Sequence, residues 1–399
     1  MKIAAIISEY NPFHKGHEYQ IAYTKEKGGA THVIALMSGN FVQRGLPAII
    51  DKYRRAEMAL LAGIDLVLEL PQLYALSSAE FFAEGSVKIL NALHGVDLLS
   101  FGSEEGDLAP LEKIVAVLAD EPIVYQEALQ KALKEGRSYP SARNEALAEV
   151  LSDVNLHYIQ NPNNILGIEY MKALRKTHSS IQPFTVKRLG KGYHDEDLNE
   201  KEFASATALR KSIHGASSVK GHVPEPIEQS IETLVQEDYP FVHEETTRSL
   251  LYYRLLTSGH LLKEIPEASE GLDQRILQKM PLLQNLSLNA FIDEIKTKRY
   301  TRTRIARILM QFLIGFDAYP IESLRKGCPH AVKILAMNEK GKEILRTLRK
   351  DKEIDLLHNF GRNLSPYMSL DVKSSAVYAL LNPAYDPQWD FKGYGTRQK

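Results

Sequence analysis

The sequence predicts an α/β protein, with a parallel, doubly wound sheet over its first half and a mainly helical second half. Three observations lead there. Short apolar runs alternate with amphipathic stretches long enough to cross a sheet face. The runs end in polar turns, where folds of this kind bind ligands. From residue 226 onward the alternation gives way to helical periodicity. At 399 residues the chain is longer than one core usually supports. Two domains are expected, residues 1–215 and 226–399, joined by a Ser-, Gly- and Pro-containing linker at 216–225.

The elements follow in order. Ile3 to Ile7 is short, continuous and isoleucine-rich, as a buried strand should be. A helix is expected over "HEYQIAYTKEK", ended by Gly28-Gly29. "THVIALMS" reads as the second strand. Asp51 can cap a helix through "KYRRAEMALLAG", which Gly63 terminates. "IDLVLELP" and "VDLLSFGSE" are the third and fourth strands, with the amphipathic "AEFFAEGSVKILNALHG" between them, capped by Ser77 or Ser78. Residues 107–180 read as largely helical. "IQPFTVKRLG" is the fifth strand, and "SATALRKSIHG" a short helix closing the first domain. In the second half only "HAVKILAM" has the character of a strand.

Composition narrows the function. The chain has 49 Lys and Arg against 50 Asp and Glu, so any nucleic-acid contact must come from a local patch. A single cysteine, Cys328, excludes an internal disulfide framework and suits a reducing compartment. The first apolar run is too short for a signal peptide and lacks its basic flank. No stretch reaches the roughly 20 apolar residues that span a bilayer. A cytoplasmic protein is expected, without a membrane contact.

The informative stretch is "SEYNPFHKGH", between the first strand and the first helix. His14 and His17 stand at i and i+3. Zinc would need further ligands, and the nearby chain supplies no cysteine or third histidine, so no metal site is expected. Ordinary surface histidines would leave Asn11-Pro12 and Gly16 without a reason. A phosphate clamp uses the whole stretch. A strand feeding a helix N-terminus offers free backbone N–H groups and the positive end of the helix dipole. Two imidazoles there can donate to phosphate oxygens. Gly16 lets a base or ribose approach, and Pro12 stiffens the turn.

"NPFHKGH" resembles the His-x-Gly-His signature of the nucleotidyltransferase superfamily that holds adenylyltransferases and class I aminoacyl-tRNA synthetases. "FASATALRKS" resembles that superfamily's late Ser-Ser-Thr-x-x-Arg motif, with Ser205, Ala206, Thr207 and Arg210 in the corresponding places. Ala206 departs from the pattern and removes one side-chain donor. More specifically, "IISEYNPFHKGH", "MSGNFVQRGLPAIIDKYRRAEMAL", "DLVLELP", "NPNNILGIEYMKAL" and "VKRLGKGYHD" together resemble the bacterial tRNA(Met) cytidine acetate ligases. The resemblance implies a Rossmann-like catalytic domain and ATP, accompanied by Mg2+, as co-substrate. It also implies activation of free acetate to acetyl-adenylate, then acetyl transfer to N4 of the wobble cytidine of elongator tRNA(Met). ATP contacts are implied along Ile7, Ser8, Glu9, Tyr10, Asn11, Pro12, Phe13, His14, Lys15, Gly16, His17, Glu18, Tyr19 and Gln20. Gly102, Asn163, Arg188, Ser205, Thr207 and Arg210 complete that set. His14, His17 and Lys15 are the implied catalytic residues, and no stable protein partner is implied.

Two further segments carry expectations. Asn40, Gln43 and Arg44 follow the second strand, where a loop can close over the acyl group. In "KTKRYTRTRIARILMQFLIG", Lys296, Lys298, Arg299, Arg302, Arg304 and Arg307 occur with no Asp or Glu between Ile295 and Phe316. An apolar stripe makes its later part a core-packed helix. Its first part, with Tyr300 among cations, is expected to follow tRNA phosphates and stack a base. Two alternatives stay open: transfer of AMP to a small phosphorylated metabolite, and an RNA-binding scaffold without catalysis.

Overall fold

The computed structural model describes residues 1–137, 139–151, 156–159, 161–188, 204–348 and 352–393. Residues 189–195 of the "VKRLGKGYHD" block lie outside them. The strands are β1 (Ile3–Ser8), β2 (His32–Ser38), β3 (Phe41–Val42), β4 (Leu46–Pro47), β5 (Leu66–Leu70), β6 (Leu98–Ser103), β7 (Gln182–Lys187), β8 (Ala331–Met337) and β9 (Asp355–Leu357). Seven of them form one sheet in the order β7-β6-β1-β2-β5-β8-β9, and β3 and β4 make a separate antiparallel hairpin.

Five strands, β7 through β5, run parallel as the alternating pattern predicts. Every residue of β2 and β5 is buried, because a parallel sheet covered on both faces needs continuous apolar strands. Ala5 pairs with Ile34 on one side and Leu99 on the other, which makes β1 the centre of the five parallel strands. From β1 the chain moves outward to β2 and β5, then returns to β6 on the opposite side. The gap between β1 and β6 is therefore the switch point at which such sheets bind ligands.

Helices begin where the capping signals place them. Asp51 caps α2 (Lys52–Leu61), accepting from the Tyr53 and Arg54 N–H groups at 3.0 and 3.1 Å. Ser205 caps the helix Ala206–His214, accepting from Ala208 N–H at 3.1 Å. Ser78 stands at the N-cap of Ala79–Ala92 without a side-chain capping bond.

The expected division at 216–225 differs from what is observed. Val219 and Val223 are buried in the core, and the His222 carbonyl accepts from Lys15 N–H at 3.2 Å. The sheet also crosses this boundary, since β8 pairs antiparallel with β5 and β9 continues from β8. The physical reason is the edge of β5. An apolar strand left there would expose its unpaired N–H and C=O groups, and β8 covers them. "HAVKILAM" is thus a strand, and it belongs to the first domain's sheet.

A buried charged cluster ties the chain's end to this sheet. Lys52 Nζ donates to both Glu69 oxygens at 2.8 and 2.9 Å and pairs with Asp390 Oδ1 at 2.8 Å. Tyr53 OH donates to the same Asp390 oxygen at 2.8 Å, and Lys333 Nζ to the Asp390 carbonyl at 2.7 Å. Lys52 and Asp390 have no exposed side-chain surface. Each is held by its partners, and removing one leaves an uncompensated buried charge. Lys52→Met should therefore destabilise the protein by about 3–5 kcal/mol, measured by denaturant unfolding. The double variant Lys52→Met with Asp390→Leu should recover part of that loss.

Candidate active site

The site grows from the way helix α1 (Lys15–Glu26) begins. Beyond β1, Tyr10 takes a left-handed φ of 46°, and Asn11-Pro12 is a cis peptide. This turn delivers His14, in extended conformation, to the N-cap of α1. The first N–H groups of a helix have no intrahelical acceptor. Here imidazoles accept them, in place of the usual Ser or Asp. His14 Nδ1 accepts from Gly16 N–H at 3.1 Å, and His17 Nδ1 accepts from His14 N–H at 3.2 Å. The two rings stack with centroids 3.7 Å apart, while Tyr10 and Phe13 pack against His17.

These bonds fix the tautomers. A neutral imidazole has one donor and one acceptor nitrogen. Both Nδ1 atoms accept, so both Nε2 atoms carry the proton, an assignment made from the hydrogen-bond partners. Burial foremost, with Arg188 and Arg210 adding to it, lowers His14 from 6.5 to about 3. Burial, then His14 and Arg188, hold His17 well below its ordinary value. At neutral pH the pair presents two N–H donors.

A cavity of about 600 Å³ opens at the carboxyl ends of β1, β6 and β7. Of the stretch 7–20 it is lined by Ile7, Ser8, Glu9, Tyr10, Asn11, His14, Gly16, His17, Tyr19 and Gln20. Pro12, Phe13, Lys15 and Glu18 are not in the lining. Lys15, implied as an ATP contact and catalytic residue, donates its backbone N–H to the His222 carbonyl. The chain-distant residues do converge. Gly102, Asn163, Arg188, Ser205, Thr207 and Arg210 all line the same cavity.

Their contacts refine the sequence reading. Gly16 makes room for a neighbour, since a Cβ there would stand 2.9 Å from the His14 ring. At Gly102 a Cβ would meet Arg188 Cγ at 3.3 Å. Asn163 donates to Glu104 Oε1 at 2.8 Å and accepts from Arg188 Nη1 at 3.3 Å. Arg210 donates to the Asn11 carbonyl at 2.8 Å and to Thr207 Oγ1 at 3.1 Å, joining the late motif to the first turn.

The β3–β4 hairpin forms another wall. Gln43 and Arg44 line the cavity from its tip. Asn40 does not; it is buried, and its Oδ1 accepts from Lys52 N–H at 2.9 Å at the start of α2. Gly45 has a φ of 78° and packs on the helix Arg302–Ile314, where a Cβ would come within 2.3 Å of the Ala306 backbone. That helix sends Thr303 and Arg307 into the lining. Arg307 Nε is buried without a hydrogen-bond partner among the described residues. Sequence reasoning assigned Arg307 to the basic run and missed Thr303, yet their i, i+4 spacing puts both on one helix face. It also missed Arg55, which is buried and donates to the Glu9, Ser38, Gly39 and Ile50 carbonyls. One guanidinium thereby fixes the ends of β1 and β2.

The basic segment differs from expectation. Tyr300 is only 8% exposed and donates to the Glu270 carbonyl at 2.6 Å, so its ring is not available to stack a base. Arg299 pairs with Glu270 at 3.2 Å, Arg302 with Asp293, and Arg304 donates to the Glu267 carbonyl. The acids absent from the run itself arrive from neighbouring elements. Lys296 and Lys298 remain exposed, with no ion pair among the described residues.

Residues 1–391 match the family model described as HIGH Nucleotidyl Transferase. A tRNA(Met) cytidine acetate ligase of Clostridium perfringens is 42% identical over 406 aligned residues, covering 98% of each chain. One from Clostridium botulinum is 39% identical over 391, covering 96% of this chain and 95% of the relative. The chain belongs to the tRNA(Met) cytidine acetate ligase family. Among solved structures of this ligase family, apo TmcAL of Thermotoga maritima superposes with a TM-score of 0.89 at 33% identity, covering 98% of both chains. The same protein bound with alpha-thio ATP gives 0.87 at 32% identity, again covering 98% of both. The ligase fold and its mostly parallel sheet are thus shared along the whole length. No helix among the described residues is long and apolar enough to cross a membrane.

The locked tautomers make a measurable statement about this ligase. A histidine whose folded pKa is depressed adds stability above its unfolded value, and loses it as pH falls through the interval from 6.5 to about 3. NMR titration of the nucleotide-free protein should find His14 titrating near 3. A titration near 6.5 would mean that the buried capping pair does not hold in solution.

Proposed function

We propose that this protein binds ATP in the cavity at the β1–β6 switch point and activates acetate. In the first step the acetate carboxylate attacks the α-phosphorus, the bond to pyrophosphate breaks, and acetyl-adenylate forms. In the second, the acetyl group passes to N4 of the wobble cytidine of elongator tRNA(Met). The observation that carries this reading is the pair of Nε2–H donors fixed at the α1 N-terminus, facing a cavity also lined by Ser205, Thr207, Arg188 and Arg210. In-line attack on a phosphate needs charge neutralised and reactants aligned, and this lining supplies both. The relatives' names, which carry tRNA(Met), cytidine and acetate, support the choice of acceptor and acid. The bound nucleotide analogue of the Thermotoga protein supports ATP.

Arg44 and Arg307, on the hairpin and the helix behind it, are proposed to hold the acyl carboxylate. Mg2+ is proposed to accompany ATP. Among the described residues, Glu9 is the one carboxylate in the lining, and no group of three metal-ligating side chains occurs. No catalytic step is assigned to the ion. Lys296 and Lys298 are proposed as tRNA phosphate contacts, and the setting is the cytoplasm.

The test uses purified protein with ATP, isotopically labelled acetate and unmodified elongator tRNA(Met) transcript, followed by nucleoside mass spectrometry. Labelled N4-acetylcytidine is expected. His14→Ala and His17→Ala should each lower the rate by about 10²–10³-fold. Label-free RNA from folded, ATP-binding protein would overturn the reaction and redirect attention to transfer of AMP to a phosphorylated acceptor. Replacing both Lys296 and Lys298 with Ala should weaken tRNA binding and reduce the slope of log affinity against log salt by roughly 1 per lysine. An unchanged slope would exclude them as phosphate contacts.

A further inference from the structure

Transfer to a cytidine amine releases a proton, and the histidine pair is poorly suited to take it. Both Nδ1 atoms already accept backbone N–H groups, and both Nε2 atoms already carry protons. The cavity lining is otherwise strongly cationic, with Arg44, Lys187, Arg188, Arg210 and Arg307. Among the described residues, Glu9 is its single carboxylate. A carboxylate beside a triphosphate works against nucleotide binding electrostatically, so its presence needs a reason.

Its placement gives one. Glu9 follows the last residue of β1, and its Oε1 accepts from Gln43 N–H at 3.0 Å, on the hairpin proposed to cover the acyl group. Arg55 holds its backbone carbonyl in place. Its neighbours bear opposite charge: Arg44 and Arg210 both feel it, and Tyr170, another lining residue, stands near enough to be affected as well. Among the described residues, only Oε1 of Glu9 carries such an anchoring hydrogen bond. The carboxylate thus sits beside the hairpin proposed to cover the acyl group.

We infer that Glu9 is the general base that accepts the N4 proton of the acceptor cytidine during acetyl transfer. This rests on the acetyl-adenylate reading above. N4 attacks the acetyl carbonyl carbon and the new C–N bond forms. The bond from that carbon to the AMP oxygen breaks, AMP leaves with the bonding pair, and one N4 proton moves to Glu9. An exocyclic amine conjugated with its ring is a weak nucleophile, so removal of this proton in the transition state matters to the rate.

The two half-reactions separate the claim from its foundation. Acetate-dependent exchange of labelled pyrophosphate into ATP reads activation alone. Single-turnover transfer from enzyme preloaded with ATP and labelled acetate to unmodified tRNA(Met) transcript reads the second step. Glu9→Gln keeps an oxygen for the Gln43 N–H but cannot act as a carboxylate base. It should reduce transfer about 100-fold more than it reduces exchange, with Glu9→Asp intermediate. Equal losses in exchange and transfer would overturn the assignment and make Glu9 a residue of nucleotide binding. Unchanged transfer would overturn it in favour of the departing phosphate as base. Absence of exchange in the wild type would sink the acetyl-adenylate reading itself, and with it this one.

Discussion

The functional half of this molecule depends on how one helix starts. A helix N-terminus must find acceptors for its free N–H groups, and here two imidazoles meet that requirement. The Gly16 and His14 N–H groups are satisfied by Nδ1 atoms, which leaves Nε2–H as the outward face of each ring. Structural need and chemical role therefore reside in the same side chains. Had Ser or Asp taken the cap, the helix would be as well served, and the cavity would lack both donors. The stacking of the rings at 3.7 Å and the space left by Gly16 complete this arrangement.

Around that start the protein places cations and restrains the loops that carry them. Arg55 never reaches the cavity lining, yet its bonds to the Glu9, Ser38 and Gly39 carbonyls hold two strand ends together. Arg210 does the same between the late motif and Asn11. Bringing several arginines into a partly enclosed space lowers each one's hold on its proton. Burial is the main cause; for Arg44, which falls to about 10, and for Arg307, neighbouring arginines add to it. An anionic ligand relieves that repulsion, so the free site is set up electrostatically for phosphate and carboxylate.

Much of this was legible from residue order. Strand and helix alternation led to the parallel sheet, Asp51 and Ser205 marked real helix starts, and "NPFHKGH" marked the turn that brings His14 and His17 to the cavity. The failures have physical causes. Lys296 to Arg307 looked like an open basic face because its acids, Glu267, Glu270 and Asp293, come from outside the run. Asn40 looked like a loop residue because nothing local shows that Lys52 N–H will reach it. Lys15 sits inside the motif, but its side chain is one position off the faces that His14 and His17 share.

The sequence by itself determined the local structure: which segments become buried strands, where helices are capped, and which side chains stand at the start of α1. Those properties depend on periodicity, side-chain polarity and capping within a few residues. Only the tertiary structure decided that β8 would close the edge of β5. It also decided that the segment 216–225 would pack against the start of α1, and that a hairpin and a distant helix would bring Arg44 and Arg307 to one cavity. Such contacts join residues separated by tens to hundreds of positions. Their partners are selected by shape and buried charge across the assembled core, which no local pattern encodes.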